Sequence, residues 1–202
     1  MRHEKTIDEL SQHYNRNISH YGPTIHSLQW INRESQHIRF DILMQSLPAH
    51  YQTLCDVGCG LGDLYHYIKN KKIPIKYRGI DISSKMIISA QNAYPDGHFS
   101  CLDLDIISKN NTFDCLIASG VFNIRLKNHD ESVFTTIHKM IECARFEVRF
   151  NMLSHKVKKR DQSTPFVYRN PESIKNHFEK HVKKVTIIEN YLPNDFTCIL
   201  VK

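Results

Sequence analysis

The stretch 54–63, which reads LCDVGCGLGD, constrains the fold of this chain more than any other segment. An apolar run ends at Asp56 and leads directly into Gly58, Gly60 and Gly62. Glycine adopts positive φ and lacks a Cβ, so backbone in such a strand-to-helix turn can approach a ligand that side chains would exclude. The spacing is GxGxG rather than the GxGxxG of dinucleotide binders. The segment therefore predicts a loop that holds a nucleotide-like ligand.

The residues after the loop complete a βαβ unit. Residues 64–70 follow a helical pattern, and residues 75–80 read as a second strand that ends at Asp81. A carboxylate at this position can accept hydrogen bonds from both hydroxyls of a ribose. The alternative is a strand-end carboxylate that caps the next helix. The glycine turn together with this carboxylate is much stronger evidence for a nucleotide-like ligand than the turn alone.

The run DVGCGLGDL at 56–64 and the run GIDIS at 79–83 resemble the cofactor-binding core of class I S-adenosylmethionine-dependent methyltransferases, in particular small bacterial ones. Segments 99–104 and 113–120 resemble the third and fourth strands of that family. The resemblance covers roughly residues 30 to 202. It implies S-adenosylmethionine (SAM) as cofactor, S-adenosylhomocysteine (SAH) as product and no metal. Its cofactor motifs are specific, whereas its substrate motifs are not.

The resemblance also implies roles for single residues. Asp56 would organise the loop and receive the methionine amino group, Asp81 would bind the ribose, and Asp103 would bind the polar edge of adenine. Met86 would pack near adenine, although simple helix core is an equal alternative. The expected cofactor site comprises Arg39, Asp56, Gly58, Cys59, Gly60, Gly62, Asp81, Ile82, Met86, Asp103, Leu104 and Ser119.

Arg39 enters this set because a guanidinium offers a bidentate fork for the cofactor carboxylate. Trp30, on the same predicted helix, is expected to wall the substrate pocket. In the competing interpretation Arg39 is a surface ion-pair partner and Trp30 belongs to the core.

The exit of the fourth strand, 119–125, is the most informative segment on the acceptor side. It lacks the Asn/Asp-Pro-Pro-aromatic tetrapeptide of enzymes that methylate exocyclic or amide nitrogens, which disfavours DNA-adenine and glutamine methylation. The catalytic residue is unknown, with Asn123 and His129 as candidates. Asn123 is as well explained by hydrogen bonds to the loop backbone. The expected substrate residues are Trp30, Phe122, Asn123, Arg125 and Asn151.

The resemblance implies an α/β fold, a Rossmann-like three-layer α/β/α sandwich with a seven-stranded, mostly parallel sheet. A helical N-terminal extension precedes the sheet, and the short link 190–195 predicts an antiparallel last strand. Residues 1–50 are expected to form a helical cap over the cleft and residues 51–202 the SAM-binding domain, within one structural domain. Strands are predicted near 52–57, 76–81, 97–101, 114–119, 144–151, 182–189 and 195–201, and helices near 61–70, 84–93, 129–143 and from 171 onward.

Composition excludes several other classes of protein. The 202 residues carry no apolar stretch long enough for a membrane span, and the polar start predicts no signal peptide, so a cytoplasmic protein is expected. Six cysteines without paired spacing read as buried free thiols, with Cys59 in the pocket. The thirteen histidines are dispersed, so no zinc site is expected. The formal charge of +6 is concentrated in 156–160 and 183–184, which read as a solvated loop and a strand edge.

Three functions remain open. The first is methyl transfer by in-line displacement to an oxygen or nitrogen nucleophile of a small molecule, by a monomer or homodimer. The second is an RNA or protein methyltransferase, favoured if the basic loop 156–160 lies beside the crevice mouth; a nucleic-acid partner is the less favoured interpretation. The third is a non-catalytic cofactor-binding scaffold, which would lack an open acceptor pocket.

Overall fold

The computed structural model describes residues 2–107, 112–125, 129–156 and 165–202, with side chains from residue 7 onward except that of residue 129. Within these ranges six α-helices alternate with eight strands. The helices are α1 (Arg2–Tyr21), α2 (Arg33–Met44), α3 (Asp63–Asn70), α4 (Ser84–Ala93), α5 (His129–Cys143) and α6 (Pro171–Phe178). The strands are β1 (Thr53–Val57), β2 (Lys76–Asp81), β3 (Phe99–Cys101), β4 (Phe113–Ala118), β5 (Ala144–Ser154), β6 (Tyr168–Arg169), β7 (Lys184–Glu189) and β8 (Asp195–Val201).

All these strands belong to one sheet, in the order β3-β2-β1-β4-β5-β8-β7. Strands β1 to β5 run parallel, and β8 lies antiparallel between β5 and β7. The predicted antiparallel last strand is therefore confirmed. The short β6, which pairs with the end of β5, is an eighth strand that the seven-stranded prediction did not include. Two residues are too few to give a readable alternation of apolar and polar positions.

Helices cover both faces of the sheet, because its central strands are apolar on both sides. On one face α5 and α6 bury Ile137, Met140 and Phe178 against β4, β5 and β8. On the other face α2, α3 and α4 bury residues such as Leu43 and Leu64. The three-layer sandwich predicted from the sequence is the observed architecture. In the part of the chain that the structure describes, no helix is both long and apolar enough to cross a bilayer.

Side-chain caps fix the start of three helices. Asn32 Oδ1 accepts from Ser35 N at 2.8 Å, Ser83 Oγ accepts from Met86 N at 3.2 Å, and Asn170 caps α6 ahead of Pro171. Such caps satisfy backbone amides that have no partner inside the helix. Helix α3 differs, because it begins after Gly62 without a side-chain cap. Its first amides and their partial positive charge are therefore available at the glycine loop.

Helix α1 is docked on the turn between β2 and α4. Ser11 Oγ donates to the carbonyl of Ile82 at 2.9 Å, and Ser83 Oγ donates to Asn15 Oδ1 at 2.8 Å. Burial raises the pKa of the Tyr14 hydroxyl on the same helix, with a smaller contribution from the nearby charge of Asp81. These contacts hold α1 beside the carboxyl end of β2. The assignment of residues 1–50 as a cap stays a prediction.

Candidate functional site

A large crevice opens at the carboxyl ends of β1, β2 and β4, where ligands of open α/β sheets bind. It holds about 1310 Å³ of space including its solvent-open mouth. Its walls come from both the N-terminal helices and the sheet.

The glycine loop has the backbone conformation that its sequence predicts. Gly58, Gly60 and Gly62 all have positive φ, at 74°, 53° and 82°. A Cβ at Gly58 would lie 2.5 Å from Val121 Cγ2, so glycine is required there on steric as well as conformational grounds. The amide of Gly58 donates to the carbonyl of Ile80 at 2.8 Å and ties the loop to the end of β2. All three glycines, or their immediate neighbours, border the crevice.

Asp81 joins the loop to the start of α4. Its Oδ2 accepts from Gly60 N at 2.9 Å and its Oδ1 accepts from Ser83 N at 2.8 Å. The helix-capping alternative therefore describes one of its contacts correctly. The carboxylate also lines the crevice, and each oxygen retains a second lone pair for a ligand. Burial raises the pKa of Asp81, and the backbone hydrogen bonds oppose that shift.

Asp56 lies deeper, at the end of β1. Its Oδ2 accepts from the Tyr77 hydroxyl at 2.7 Å, and the residue is 2% exposed. Burial raises its pKa to about 7, although the hydrogen bond from Tyr77 acts in the opposite direction. No cationic side chain in the described part of the chain forms a salt bridge with Asp56 within 4.0 Å. A cationic ligand group at this carboxylate would restore its ionised form.

Gln36 and Asp63 are crevice residues that the sequence analysis did not assign. Gln36 Nε2 donates to Asp63 Oδ2 at 3.0 Å, while Gln36 Oε1 is buried without a hydrogen-bond partner among the described residues. Both line the same crevice as Asp56. An unsatisfied buried acceptor costs free energy, about 1 to 3 kcal/mol. Asp63 could have been identified from its place at the end of the glycine motif. Gln36 could not, because a glutamine inside an amphipathic helix has no distinctive sequence pattern.

The residues expected around adenine lie together on the β2–β3 side. Ile82, Met86, Asp103 and Leu104 all line the crevice. Asp103 Oδ1 accepts from Asp105 N at 3.2 Å and so caps the short 3₁₀ helix Leu104–Ile106. Met86 is 1% exposed, so it serves the core and the crevice wall at once.

Cys59 also lines the crevice, as expected from its place in the glycine loop. Burial raises its pKa well above that of a free thiol, with further contributions from the charges of Asp81 and Asp56. It is therefore a neutral wall residue rather than a thiolate. No disulfide joins the six cysteines, and Cys101 is the exposed one.

Arg39 forms a bidentate ion pair, but with a protein partner. Its Nε donates to Asp195 Oδ1 at 2.8 Å and its Nη2 to Asp195 Oδ2 at 2.5 Å, while Nη1 donates to the carbonyl of Ser35 at 2.7 Å. The fork expected to bind a cofactor carboxylate is thus occupied, and Arg39 is absent from the crevice lining. Its Cζ lies 4.6 Å from the centroid of the Trp30 ring. The structure therefore corrects the assignment of Arg39 to the cofactor site. Arg39 instead positions Trp30.

Trp30 lines the crevice, where the sequence analysis expected it. A Cβ on Gly120 would lie 2.6 Å from Trp30 Cζ2, so the indole rests directly on the backbone at the exit of β4. Gly120 has a φ of +75° and its amide donates to Asn151 Oδ1 at 2.8 Å. Asn151 Nδ2 donates to Ser119 Oγ at 3.1 Å. Ser119 borders the crevice, whereas Asn151 is fully buried behind it and shapes the β4 exit rather than contacting an acceptor.

The segment after β4 divides between the crevice and the protein interior. Phe122 lines the crevice, as expected. Asn123 does not, because its Oδ1 accepts from Leu153 N at 3.0 Å and its carbonyl accepts from Val167 N at 2.8 Å. The loop-backbone alternative for Asn123 therefore replaces the substrate and catalytic ones. Arg125 is exposed and Nη2 donates to the carbonyl of Phe166 at 3.3 Å, away from the crevice lining.

The other catalytic candidate, His129, has a side chain outside the described residues. Residues 157–160 of the basic loop are outside them too. Lys156 is described, and it forms a salt bridge with Glu189, Nζ to Oε1 at 2.8 Å.

Nine further residues of the crevice lining were not assigned by the sequence analysis. They come from α1, from the turn before α2, from the segment after β4 and from α5. The helical periodicity of α1 is visible in the sequence, but the cavity that its apolar face covers depends on how the helix packs against the rest of the chain. These residues are Ile7, Leu10, Tyr14, Leu28, Ile124, Ser132, Val133, Thr136 and Lys139.

Most of these side chains are apolar. The Thr136 hydroxyl donates to the carbonyl of Ser132 at 2.9 Å, and Lys139 is paired with Asp105. Among the described lining residues, the carboxylates belong to Asp56, Asp63, Asp81 and Asp103, and none is a histidine.

Comparison with known proteins points to one family. A family model described as a methyltransferase domain matches residues 55–143, which contain the glycine loop, Asp81 and Asp103. A candidate methyltransferase of Mycobacterium tuberculosis (strain ATCC 25618 / H37Rv) is 25% identical over 152 residues, covering 73% of this chain and 91% of that protein.

Two solved structures share the fold over most of the chain. A DhpI–SAH complex superposes with a TM-score of 0.66 at 13% identity and covers 96% of this chain and 95% of that one. Magnesium protoporphyrin IX methyltransferase (ChlM) from Synechocystis PCC 6803, with bound SAM, gives a TM-score of 0.58 at 17% identity and covers 84% and 79%. At these identities the likeness establishes the fold, and it confirms the predicted fold class.

Proposed function

We propose that this chain transfers a methyl group from SAM to an oxygen or nitrogen atom of a small molecule. Its resemblance to the class I methyltransferases is confirmed by the matched domain and the fold. The observation that carries the proposal is the division of one crevice. A positive-φ glycine loop with the buried carboxylates of Asp56 and Asp81 forms the proposed cofactor half. The side chains of Trp30, Phe122 and Val133 form an apolar wall on the proposed acceptor half. The first suits a nucleoside with a cationic tail, and the second suits a small, largely apolar acceptor.

The amino group of the cofactor is assigned to Asp56 and Gln36. Asp56 is a buried carboxylate with no salt bridge to a cationic side chain in the described chain, and Gln36 Oε1 is a buried acceptor with no partner there. An ammonium group would donate hydrogen bonds to the Asp56 carboxylate and to Gln36 Oε1, and its positive charge would pair with the carboxylate. This pair gives the methionine end of SAM a site that a nicotinamide dinucleotide would not satisfy.

The nucleoside is assigned to the β2–β3 side. Asp81 keeps lone pairs on both oxygens for the ribose hydroxyls, while Gly60 N and Ser83 N hold the carboxylate in position. Ile82, Met86 and Leu104 offer apolar surface for adenine, and Asp103 offers an acceptor for its amino group. These roles follow the family resemblance, and the placement of all five side chains in one crevice supports them.

SAM supplies a methyl group already activated by its sulfonium, so the chain needs no covalent nucleophile. Positioning and exclusion of water then provide much of the rate enhancement, with effective molarity worth up to roughly 7 to 11 kcal/mol in favourable cases. The acceptor half fits this chemistry, since Trp30, Phe122 and Val133 give shape while the described lining offers no imidazole there. We infer an acceptor whose nucleophilic atom presents a lone pair without deprotonation by these residues. The named activity of the magnesium protoporphyrin IX methyltransferase shows that the same fold serves a small-molecule acceptor in that protein.

The two other functions remain alternatives of lower rank. RNA or protein methylation depends on the basic loop, whose residues 157–160 lie outside the described part, and the described Lys156 is paired with Glu189. A non-catalytic scaffold would have no acceptor pocket, whereas the crevice continues past the glycine loop to an apolar wall. That extension favours an enzyme.

Calorimetric titration with SAM, SAH and NAD tests the proposal. We expect selective binding of SAM and SAH, and at least about tenfold weaker binding by Asp81→Ala, because lost charge-assisted hydrogen bonds cost about 1.5 kcal/mol or more. Asp96→Ala is the matched control, since that exposed carboxylate pairs with Lys69 at the surface. Binding of NAD instead of SAM would overturn the cofactor assignment. Selective SAM binding without turnover of small-molecule, RNA or protein acceptors would favour the scaffold.

A further inference from the structure

Three histidines that are far apart in the sequence meet between α5 and α6. His138 lies in the middle of α5, His177 in the last turn of α6, and His181 in the turn that follows α6. One ring nitrogen from each lies within 4.8 Å of the other two. The Nε2 atoms of His138 and His177 are 3.2 Å apart. None of the three lines the methyltransferase crevice.

The spacing of these nitrogens matches a tetrahedral metal site. Zinc binds histidine nitrogen at about 2.0 to 2.1 Å, which places two nitrogens of one tetrahedron about 3.3 Å apart. The pair His138 and His177 already has this separation. We expect a small rotation of the exposed ring of His181 to bring the third nitrogen onto the same tetrahedron. A direct hydrogen bond between two of the rings accounts for one contact but leaves the convergence of the third unexplained.

The exposure of the cluster allows an ion to enter. His138 and His177 are partly buried, whereas His181 is exposed, which leaves an entry path for an ion from solvent.

The scaffold around the cluster is rigid. Ile137 and Phe178, adjacent in sequence to His138 and His177, are completely buried in the core. The Phe134 ring stacks on His177 with centroids 4.4 Å apart. The ring of His138 lies 5.4 Å from that of Phe178. Two of the three rings are thus held by packing, which is the support that metal ligands need.

We propose that His138, His177 and His181 form a zinc site that joins α5 to α6 on the face of the sheet behind the acceptor wall. Water occupies the fourth position. Imidazole ligands suit zinc, and an ion that binds the folded state alone stabilises the protein. The site takes no part in methyl transfer, for which the family chemistry needs no metal. It fixes α5, whose opposite side carries Ser132, Val133 and Thr136 to the crevice.

Titration of Zn²⁺ into the untagged, chelator-treated full chain tests the site by calorimetry. We expect one ion per chain, and binding at least tenfold weaker in both His177→Ala and His181→Ala. At zinc one hundred times above Kd, the Tm of the wild type should rise by about 5 to 10 °C. The matched control is His98→Ala, an exposed histidine elsewhere on the surface, which should bind zinc like the wild type.

His181→Ala keeps the test decisive, because removal of an exposed ring leaves the fold intact, as the Tm without metal will show. Replacement of zinc by Co²⁺ should give the visible absorption of a tetrahedral site in the wild type and in His98→Ala, and not in His181→Ala. Absence of saturable binding by the wild type, or equal affinity in His181→Ala, would overturn the proposal. Neither result depends on SAM binding.

Discussion

The two halves of the crevice are built by different interactions. On the cofactor half, carboxylates and backbone amides bond one another, as Asp81 does with Gly60 and Asp56 does with Tyr77. On the acceptor half, apolar side chains from separate elements meet, and Asn123 bonds to the backbone behind the wall. Polar recognition of a ligand is therefore concentrated on the cofactor half, whereas the acceptor half recognises a ligand by its shape. Substitutions should affect cofactor affinity and pH dependence in the first half, and stability or acceptor fit in the second.

Asp56→Asn should show the largest effect, on the pH dependence of stability. Burial raises the pKa of Asp56 to about 7, whereas an unfolded aspartate titrates near about 3.9. Between these values the folded state holds a proton that the unfolded state has released. The free energy of unfolding should therefore fall as pH rises from about 4 to about 7, by about 4 kcal/mol for this residue. Urea unfolding of both proteins across that range measures the difference.

The same substitution sharpens the cofactor assignment. An ammonium group binds the ionised carboxylate, so wild-type affinity for SAM should rise as pH rises through about 7, while the Asn variant should lack this dependence. Asn retains an oxygen that can accept from the Tyr77 hydroxyl, so the fold is preserved. Identical pH profiles for the two proteins would place the amino group elsewhere.

Gly58→Ala and Gly22→Ala separate backbone conformation from close packing. Both glycines have positive φ, at 74° and 67°, which costs an alanine about 1 to 2 kcal/mol. A Cβ at Gly58 would also meet Val121 at 2.5 Å, whereas one at Gly22 would meet nothing within 4 Å. With overpacking added, Gly58→Ala should lose about 3 kcal/mol of stability and bind SAM more weakly. Equal losses in denaturant unfolding would show that Val121 moves aside.

The contrast explains how much could be predicted from the sequence. The sequence predicts Gly58, Gly62 and Asp81, because the conformation of the loop and the position at the end of a strand dictate the residue type. The spacing of these residues in the sequence reveals both features. The roles of Asn123 and Asn151 were not predictable, since an amide serves a ligand or a backbone equally well and only the fold determines which it meets.

Contacts between residues far apart in the sequence could not be predicted either. Arg39 was expected to bind the cofactor carboxylate, but its guanidinium pairs with Asp195, which lies 156 positions away. The convergence of His138 with His177 likewise depends on how α5 and α6 pack. Long-range contacts of this kind leave no local pattern.

Asn123→Ala should act on stability alone. Loss of its Oδ1 leaves the buried amide of Leu153 without this partner, at a cost of about 2 kcal/mol. Asn123→Asp keeps the acceptor and serves as the conservative control. Steady-state kinetics on the folded enzyme should give unchanged KM values for SAM and acceptor. A fall in kcat with normal stability would restore the catalytic assignment that the structure replaces.

Arg125→Ala should have the smallest effect. The side chain is exposed, and its described contact is a 3.3 Å hydrogen bond to the carbonyl of Phe166, which water can replace. Surface substitutions of this kind usually change stability by less than about 0.5 kcal/mol. Because the lost charge lies outside the crevice lining, acceptor KM should also be unchanged. A tenfold rise in acceptor KM with unaltered SAM affinity would instead mean that an anionic acceptor reaches beyond the apolar wall, and polar recognition would then extend to both halves.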